Sequence, residues 1–390
     1  MKPTVIAARD VESNVSRPVW RGLPANSPTR PPAFAKATAG KRKPSRRPAR
    51  RSAQREVGRL RGGRGGPVRR HPREVLTHST PPLEDVACYL CGGTEHRHFI
   101  DAEDDLGGTP GRFRFVRCLN CSLGVYQSPR VTLDAIGAYY DDTYIAHRKK
   151  RNWGVLTPLF NRAMQKLDRD KAEIVSRYIT LTSGSEVLDV GCAVGTFLAH
   201  LQDRFGARVA GVDFKDLSAA GTMKNVEFHC GLFYEAELRP ERFDLVTMWH
   251  FLEHDYDPMR SLDTARRVLK RDGLLVIEVP RLDSRTFRWF GDRWPGLQAP
   301  QHTVLFDRAA LLEAVRKSGF ELVDYLPYGA FPAYFYVFTG TAFRILKGRG
   351  LNLDRAIVPY FIGQILTLPL MLFERRLNLA MQTVVCRRRS

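Results

Sequence analysis

The first thirty residues lack an apolar stretch long enough for a secretory leader. Methionine is missing between Met1 and Met164, so a start nearer Val75 or Val86 would need a codon other than Met. Acidic residues are scarce at the beginning. Residues 1–80 hold 20 Lys and Arg against four acids, Asp10, Glu12, Glu56 and Glu74, whereas the remainder holds 41 basic and 37 acidic residues. Of the formal net charge of +20, the arm therefore carries +16 and the other 310 residues only +4. The arm is rich in Pro, Arg, Gly and Ala and poor in aromatics, so it cannot bury enough apolar surface to offset chain entropy, and disorder is expected over 1–80. Its runs Lys41-Arg42-Lys43 and Arg46-Arg47 suit a plain solvated tail, or contact with RNA or anionic lipid through counterion release.

An even disulfide framework is also missing. There are seven cysteines, four of them in C-x-x-C pairs, which points to a reducing compartment and a cytoplasmic protein. A convincing membrane span is lacking too. Residues 356–373 run 18 residues without a charge, at the lower limit for a span, and Pro359 and Pro369 interrupt them.

What is present begins with Cys88-Tyr-Leu-Cys91 and Cys118-Leu-Asn-Cys121. Two residues between thiolates let a tight turn aim both sulfurs at one ion, and two such turns complete a closed tetrahedral site of the structural zinc kind. The 26 residues between the pairs exceed the usual ribbon spacing of about 15–20 and fit a hairpin with a long tip. Gly107-Gly108-Thr109-Pro110-Gly111 is the turn, and residues 112–116 alternate like a strand. The competing reading is four buried thiols without metal. Four protein ligands leave no open position, so no catalytic role is expected of the ion.

From residue 184 the pattern becomes α/β. Glu186-Val187-Leu188-Asp189-Val190 reads as a short buried strand, followed by the turn Gly191-Cys192-Ala193-Val194-Gly195 and a helical stretch from Thr196. Strand, Gly-rich turn and helix bring backbone N–H groups to a ligand at a helix N-terminus. The next strand, 209–213, ends in Asp213, 22 positions after Gly191, where a carboxylate can accept both hydroxyls of a ribose. Further strands are expected at 226–230, 243–248, 274–280 and 319–325, with a helix at 262–269.

At these residues the sequence resembles the class I S-adenosylmethionine-dependent methyltransferases. The segment Trp249-His250-Phe251-Leu252-Glu253-His254 and the turn before residue 274 are similar to the type 11/23-like branch, whose members often carry a four-cysteine module in front. The likeness covers about residues 86–325 and the last ten. It implies a Rossmann-like, seven-stranded, doubly wound α/β sheet whose last strand, near 381–386, returns antiparallel. It also implies that Asp189, Gly191, Ala193 and Gly195 hold the methionine and ribose portion of the cofactor and Asp213 its ribose hydroxyls. Ala193 departs from the family, which usually has Gly there. Cys192, Phe214, Trp249 and His250 flank the same strand ends and complete the candidate cofactor set, since ligands of open sheets bind there. The competing reading is a Rossmann-like domain that binds NAD or nothing.

The chain thus divides into a basic arm (1–80), a four-cysteine zinc-ribbon-like module (84–130), a helical linker (131–183), the cofactor-binding core (184–330), an apolar helical insertion (331–375), and the last strand with a basic tail (376–390). A general base is needed only if the acceptor is a hydroxyl or carbon acid, and His302, His254 and Glu253 are the candidates. Glu253 and His254 can equally cap a helix or pack beneath the cofactor. Tyr139, Tyr140 and Tyr144 precede the core and can close over the cofactor or simply pack. Neither an Asn-Pro-Pro-Tyr-like tetrapeptide nor a Pro-Cys pair follows the fourth strand, which disfavours nucleobase amino-group and pyrimidine C5 methylation. The expected reaction is methyl transfer to a small-molecule acceptor, with a sugar or lipid-linked glycan intermediate in view. RNA delivered by the arm, or a binding module without turnover, are the alternatives. Residues 331–375 can cover the acceptor, form a dimer face, or contact a membrane peripherally.

Overall fold

Aliphatic runs of four to seven residues, spaced by turns and amphipathic stretches, set the order of elements. The computed structural model describes residues 81–140, 157–352 and 356–389; the basic arm and Tyr144 lie outside the described residues. The strands are β1 (Leu83–Glu84), β2 (His96–Ala102), β3 (Phe113–Cys118), β4 (Val125–Gln127), β5 (Arg130–Val131), β6 (Glu186–Val190), β7 (Arg208–Asp213), β8 (Glu227–Cys230), β9 (Phe243–Trp249), β10 (Leu269–Pro280), β11 (Val304–Leu305), β12 (Phe320–Leu326) and β13 (Met381–Arg388). The helices are α1 (Leu133–Ile136), α2 (Thr157–Ser176), α3 (Thr196–Phe205), α4 (Pro258–Val268), α5 (Arg285–Phe290), α6 (Arg308–Lys317), α7 (Ala333–Leu346), α8 (Ile357–Leu366), α9 (Leu368–Met371) and α10 (Glu374–Leu377).

Among the described residues one sheet has seven strands in the order β12-β13-β10-β9-β6-β7-β8. β6 pairs parallel with both β7 and β9, whereas β13 runs antiparallel between β10 and β12. The chain starts at β6, winds out to β8, then crosses back to β9 on the other side of β6. That reversal is the topological switch point, and it opens a crevice at the carboxyl ends of β6 and β9.

Alternation along the strands supplies two apolar faces. Leu188, Val190, Leu275, Ile277 and Val279 pack on α4 and α6. Val187, Val209 and Val276 pack on α2 and α3. A strand covered on both faces reads as a continuous aliphatic run. Local chemistry starts the helices: Asp257 accepts from Arg260 N with Pro258 in the first turn, and Asp307 accepts from Ala310 N. The expected turn at 270–273 is instead a register irregularity inside β10, between Leu269 and Leu274.

A second sheet, β11-β4-β3-β2, carries the cysteine pairs. Its edge strand β11 comes from the core, and Tyr89 lies edge-on to Phe306 at 5.4 Å, so module and core share apolar packing. Between β12 and β13 lie α7 to α10. Among the described residues no helix is long and apolar enough to cross a membrane.

Candidate functional site

The glycine turn leaves β6 with three residues in the left-handed region, Gly191 (φ 75°), Ala193 (φ 49°) and Gly195 (φ 70°). A β-carbon on Gly191 would lie 3.0 Å from the Phe251 ring, and one on Gly195 would lie 2.3 Å from Met223 Sδ. Ala193 holds a conformation that costs an L-residue about 1–2 kcal/mol, at the position where the resemblance implies Gly. Gly191 N and Cys192 N both donate to Val212 O, at 2.8 and 3.2 Å, which ties the turn to β7 one residue before Asp213. Ala193 N donates to Asp213 Oδ2 at 2.9 Å, and Lys215 N to Oδ1 at 3.0 Å. The turn and the carboxylate therefore meet directly. Burial raises the Asp213 carboxyl above its ordinary value, against the pull of these amides.

Asp189 is buried beneath the turn and accepts from Thr247 Oγ1 at 2.6 Å. Burial pushes its carboxyl up to about 6, with Lys171 opposing. Trp249 is buried edge-on to Phe197 at 5.7 Å, and its Nε1 has no hydrogen-bond partner among the described residues. Phe214 is exposed and meets the Tyr140 ring at 4.9 Å.

Beyond β9 the chain turns sharply. His250 takes φ 53°, a strained value of the kind that collects at functional sites. Its ring lies between two buried carboxylates, Nδ1 at 3.3 Å from Glu253 Oε1 and Nε2 at 3.2 Å from Glu278 Oε1. Burial opposes protonation, yet the carboxylates of Glu253 and Glu278 on either side of the ring hold His250 up at about 9. Glu278 also accepts from Ala330 N (2.6 Å) and Phe331 N (3.0 Å), the segment that leads into α7. The 3-10 turn Leu252–His254 presents Glu253 and His254 beside the loop that carries His302. Thr303 N donates to Glu253 O at 2.8 Å, and Thr303 Oγ1 to Asp255 O at 2.6 Å, which staples the two segments together. The His254 and His302 rings are 4.4 Å apart and nearly perpendicular. Burial pushes both imidazoles down to about 3, and His302 adds to the effect on His254. Tyr140 Oη lies 2.9 Å from His254 Nδ1, so Tyr140 links this cluster to Phe214.

The four cysteines converge. Cys88 Sγ is 3.7 Å from Cys121 Sγ, Cys91 Sγ is 3.6 Å from Cys118 Sγ, and all four sulfurs lie within 4.8 Å of one another. Sulfurs at about 2.3 Å from one tetrahedral ion would be roughly 3.8 Å apart. The two turns match: the residue after each second cysteine, Gly92 (φ 71°) and Ser122 (φ 60°), is left-handed. A β-carbon on Gly124 would stand 2.4 Å from Cys88 Sγ, so the cradle closes tightly round the sulfurs.

The pattern of the methyltransferase domain family matches residues 160–325, the span that contains the glycine turn, Asp213 and the His–Glu cluster. Residues 160–325 are thus similar to a methyltransferase domain. Two ubiquinone biosynthesis O-methyltransferases are similar to the chain. That of Neisseria meningitidis serogroup A is 31% identical over 113 residues, 27% of this chain and 48% of the relative. That of Bradyrhizobium is 31% identical over 140 residues, 34% of this chain and 52% of the relative. The chain spans about half the length of these relatives. Among solved structures, the [4+2]-cyclase SpnF aligns with 67% of this chain and 97% of its own at 19% identity, with a TM-score of 0.43. An S-adenosylmethionine-dependent methyltransferase of Thermotoga maritima aligns with 44% of this chain and 80% of its own, with 19% identity and a TM-score of 0.35.

Several residues of this candidate site escaped sequence reasoning. Glu278 was hidden in an otherwise aliphatic strand, where a lone acid was itself the signal. Thr247 and Lys171 are ordinary residues in a strand and a helix, and only folding brings them to Asp189.

Proposed function

We propose that this chain transfers the methyl group of S-adenosylmethionine to a small-molecule acceptor, a sugar or lipid-linked glycan intermediate. The cofactor half is carried by one observation, the hydrogen bond from Ala193 N to Asp213 Oδ2. It supports reading the turn and the Asp213 carboxylate as two sides of one groove. Asp189, Gly191, Cys192, Ala193, Gly195, Asp213, Phe214, Trp249 and His250 are then the cofactor residues. His302, His254 and Glu253 stand beside it on the acceptor side. Alignment of acceptor and methyl group supplies much of such an acceleration.

Two things support a lipid-bearing acceptor. Ile345, Ile362, Ile365, Leu366, Leu372 and Phe373 are exposed on the helices and turns between β12 and β13, with Arg344, Lys347, Arg375 and Arg376 close by in sequence. Exposed apolar side chains with a basic border suit the headgroup boundary of a membrane. The matched relatives are named for methylating an oxygen in ubiquinone biosynthesis, which supports a hydroxyl on a lipid-soluble molecule. The thiols of Cys88, Cys91, Cys118 and Cys121 would hold one structural zinc, which stiffens the small sheet and leaves no position open to substrate.

The test uses the full chain. Calorimetry with S-adenosylhomocysteine should show one site per chain. Methyl-tritiated cofactor, incubated with lipid and RNA fractions of bacterial cells, should label the organic-soluble fraction. Label confined to RNA, and lost when residues 1–80 are removed, would overturn the acceptor class. Absence of any cofactor binding would overturn the reaction.

A further inference from the structure

Glu253 is 1% exposed, and neither of its carboxylate oxygens has a hydrogen-bond partner among the described residues. A buried carboxylate in that state needs a compensating charge or a proton. His250 already faces Oε1 at 3.3 Å, but it is shared with Glu278, so two buried carboxylates stand against one imidazole.

The two neighbouring histidines are held in a telling way. His302 Nδ1 lies 2.8 Å from Gly296 O, and a carbonyl only accepts, so the proton is on Nδ1 and the lone pair on Nε2. His254 Nδ1 lies 3.1 Å from Gln301 O and 2.9 Å from Tyr140 Oη. A proton on Nδ1 suits both if the tyrosine hydroxyl accepts it and donates its own to Gln301 O, 3.5 Å away. Imidazoles fixed by a backbone carbonyl on one nitrogen are the usual partners of a metal on the other. One nitrogen of each ring and a Glu253 oxygen all lie within 4.8 Å of one another. The Thr303 staple fixes their spacing through one backbone bond and one bond from a buried hydroxyl.

We infer that Glu253, His254 and His302 form a site for a divalent transition-metal ion at the acceptor side of the groove. Two imidazoles and one carboxylate suit zinc, cobalt, iron or manganese, and three protein ligands leave coordination positions open. The site stands on its own geometry, whereas its role in methyl transfer rests on the function proposed above. There, an acceptor hydroxyl bound to the ion would lose its proton to water more readily. The oxygen then forms a bond to the methyl carbon as the carbon–sulfur bond breaks, and that electron pair stays on sulfur as the thioether.

The probe is cobalt(II), titrated into the full chain with its four-thiol site already filled by zinc. One equivalent should bind with d–d absorption and without the intense thiolate charge-transfer band. Glu253→Gln, which keeps the shape, and His302→Ala should each weaken binding at least tenfold, while His229→Ala at the far sheet edge should not change it. Failure of the wild type to bind, thiolate charge transfer, or equal binding by wild type and both variants would each overturn the site and leave Glu253 to a proton. Calorimetry of S-adenosylhomocysteine on the same samples tests the cofactor separately: cofactor without cobalt refutes only the metal site, cobalt without cofactor only the methyltransfer reading.

Discussion

Replacing Asp213 with Asn probes the groove most directly. The carboxylate is buried at the end of β7 and accepts from Ala193 N at 2.9 Å and Lys215 N at 3.0 Å. Both oxygens are acceptors in Asp, whereas Asn keeps one and turns an NH₂ toward an N–H donor. The variant therefore loosens one backbone contact and removes the charge that a ribose diol would meet. A hydrogen bond to a charged acceptor is worth about 1.5–3 kcal/mol, and two from one diol are not additive, so we expect about 2–3 kcal/mol of lost cofactor affinity. That is roughly a 30- to 150-fold rise in the Kd for S-adenosylhomocysteine, read by calorimetry. Urea denaturation of the same sample should show a loss of only about 1–2 kcal/mol, the cost of one poorly satisfied buried amide. A Kd within threefold of wild type in a folded variant would refute the placement of the ribose at Asp213.

Glu278→Gln should destabilise the chain by about 3 kcal/mol in urea, because it leaves the His250 imidazolium short of one buried partner and weakens the grip on Ala330 and Phe331. Asp189 titrates at about 6 in the fold. A carboxyl raised on folding adds stability below its unfolded value near 4, and that contribution is lost as pH rises through 6. The stability of Asp189→Asn relative to wild type should therefore shift by roughly 2 kcal/mol in the variant's favour between pH 4 and pH 7; a flat difference would remove Asp189 from that role. Cys88→Ser with Cys118→Ser should release one zinc per chain by elemental analysis and lower the Tm, whereas retained stoichiometric zinc would refute the four-thiol site. Ile365→Asp with Leu366→Asp should abolish sedimentation of the chain with anionic liposomes; unchanged pelleting would move the membrane contact elsewhere.

The strands of the large sheet were legible because each is a local object. β6, β9 and β10 are aliphatic runs that must be buried on both faces, and the turn at Gly191 announces itself through residues that tolerate positive φ. Ala193 is the exception, since nothing local marks an alanine as left-handed. The convergence of Cys88, Cys91, Cys118 and Cys121 was legible from spacing, because two C-x-x-C turns can aim four sulfurs at one point, whereas the proximity of Cys88 to Cys121 and of Cys91 to Cys118 was not. The sharing of Val304 and Leu305 with the small sheet was not, because a two-residue strand carries no periodicity.

From composition and pattern came the α/β alternation, the glycine turn, its distant carboxylate and the cysteine pairs, while the doubly wound order came from the resemblance to the methyltransferases. These follow from short-range sterics and from which faces must leave water. Tertiary structure alone decided that His250 sits between Glu253 and Glu278, that the carbonyls of Gly296 and Gln301 hold His302 and His254, and that Tyr140 reaches His254. Charge states are set by burial and by partners tens of residues away, and a linear chain does not display either.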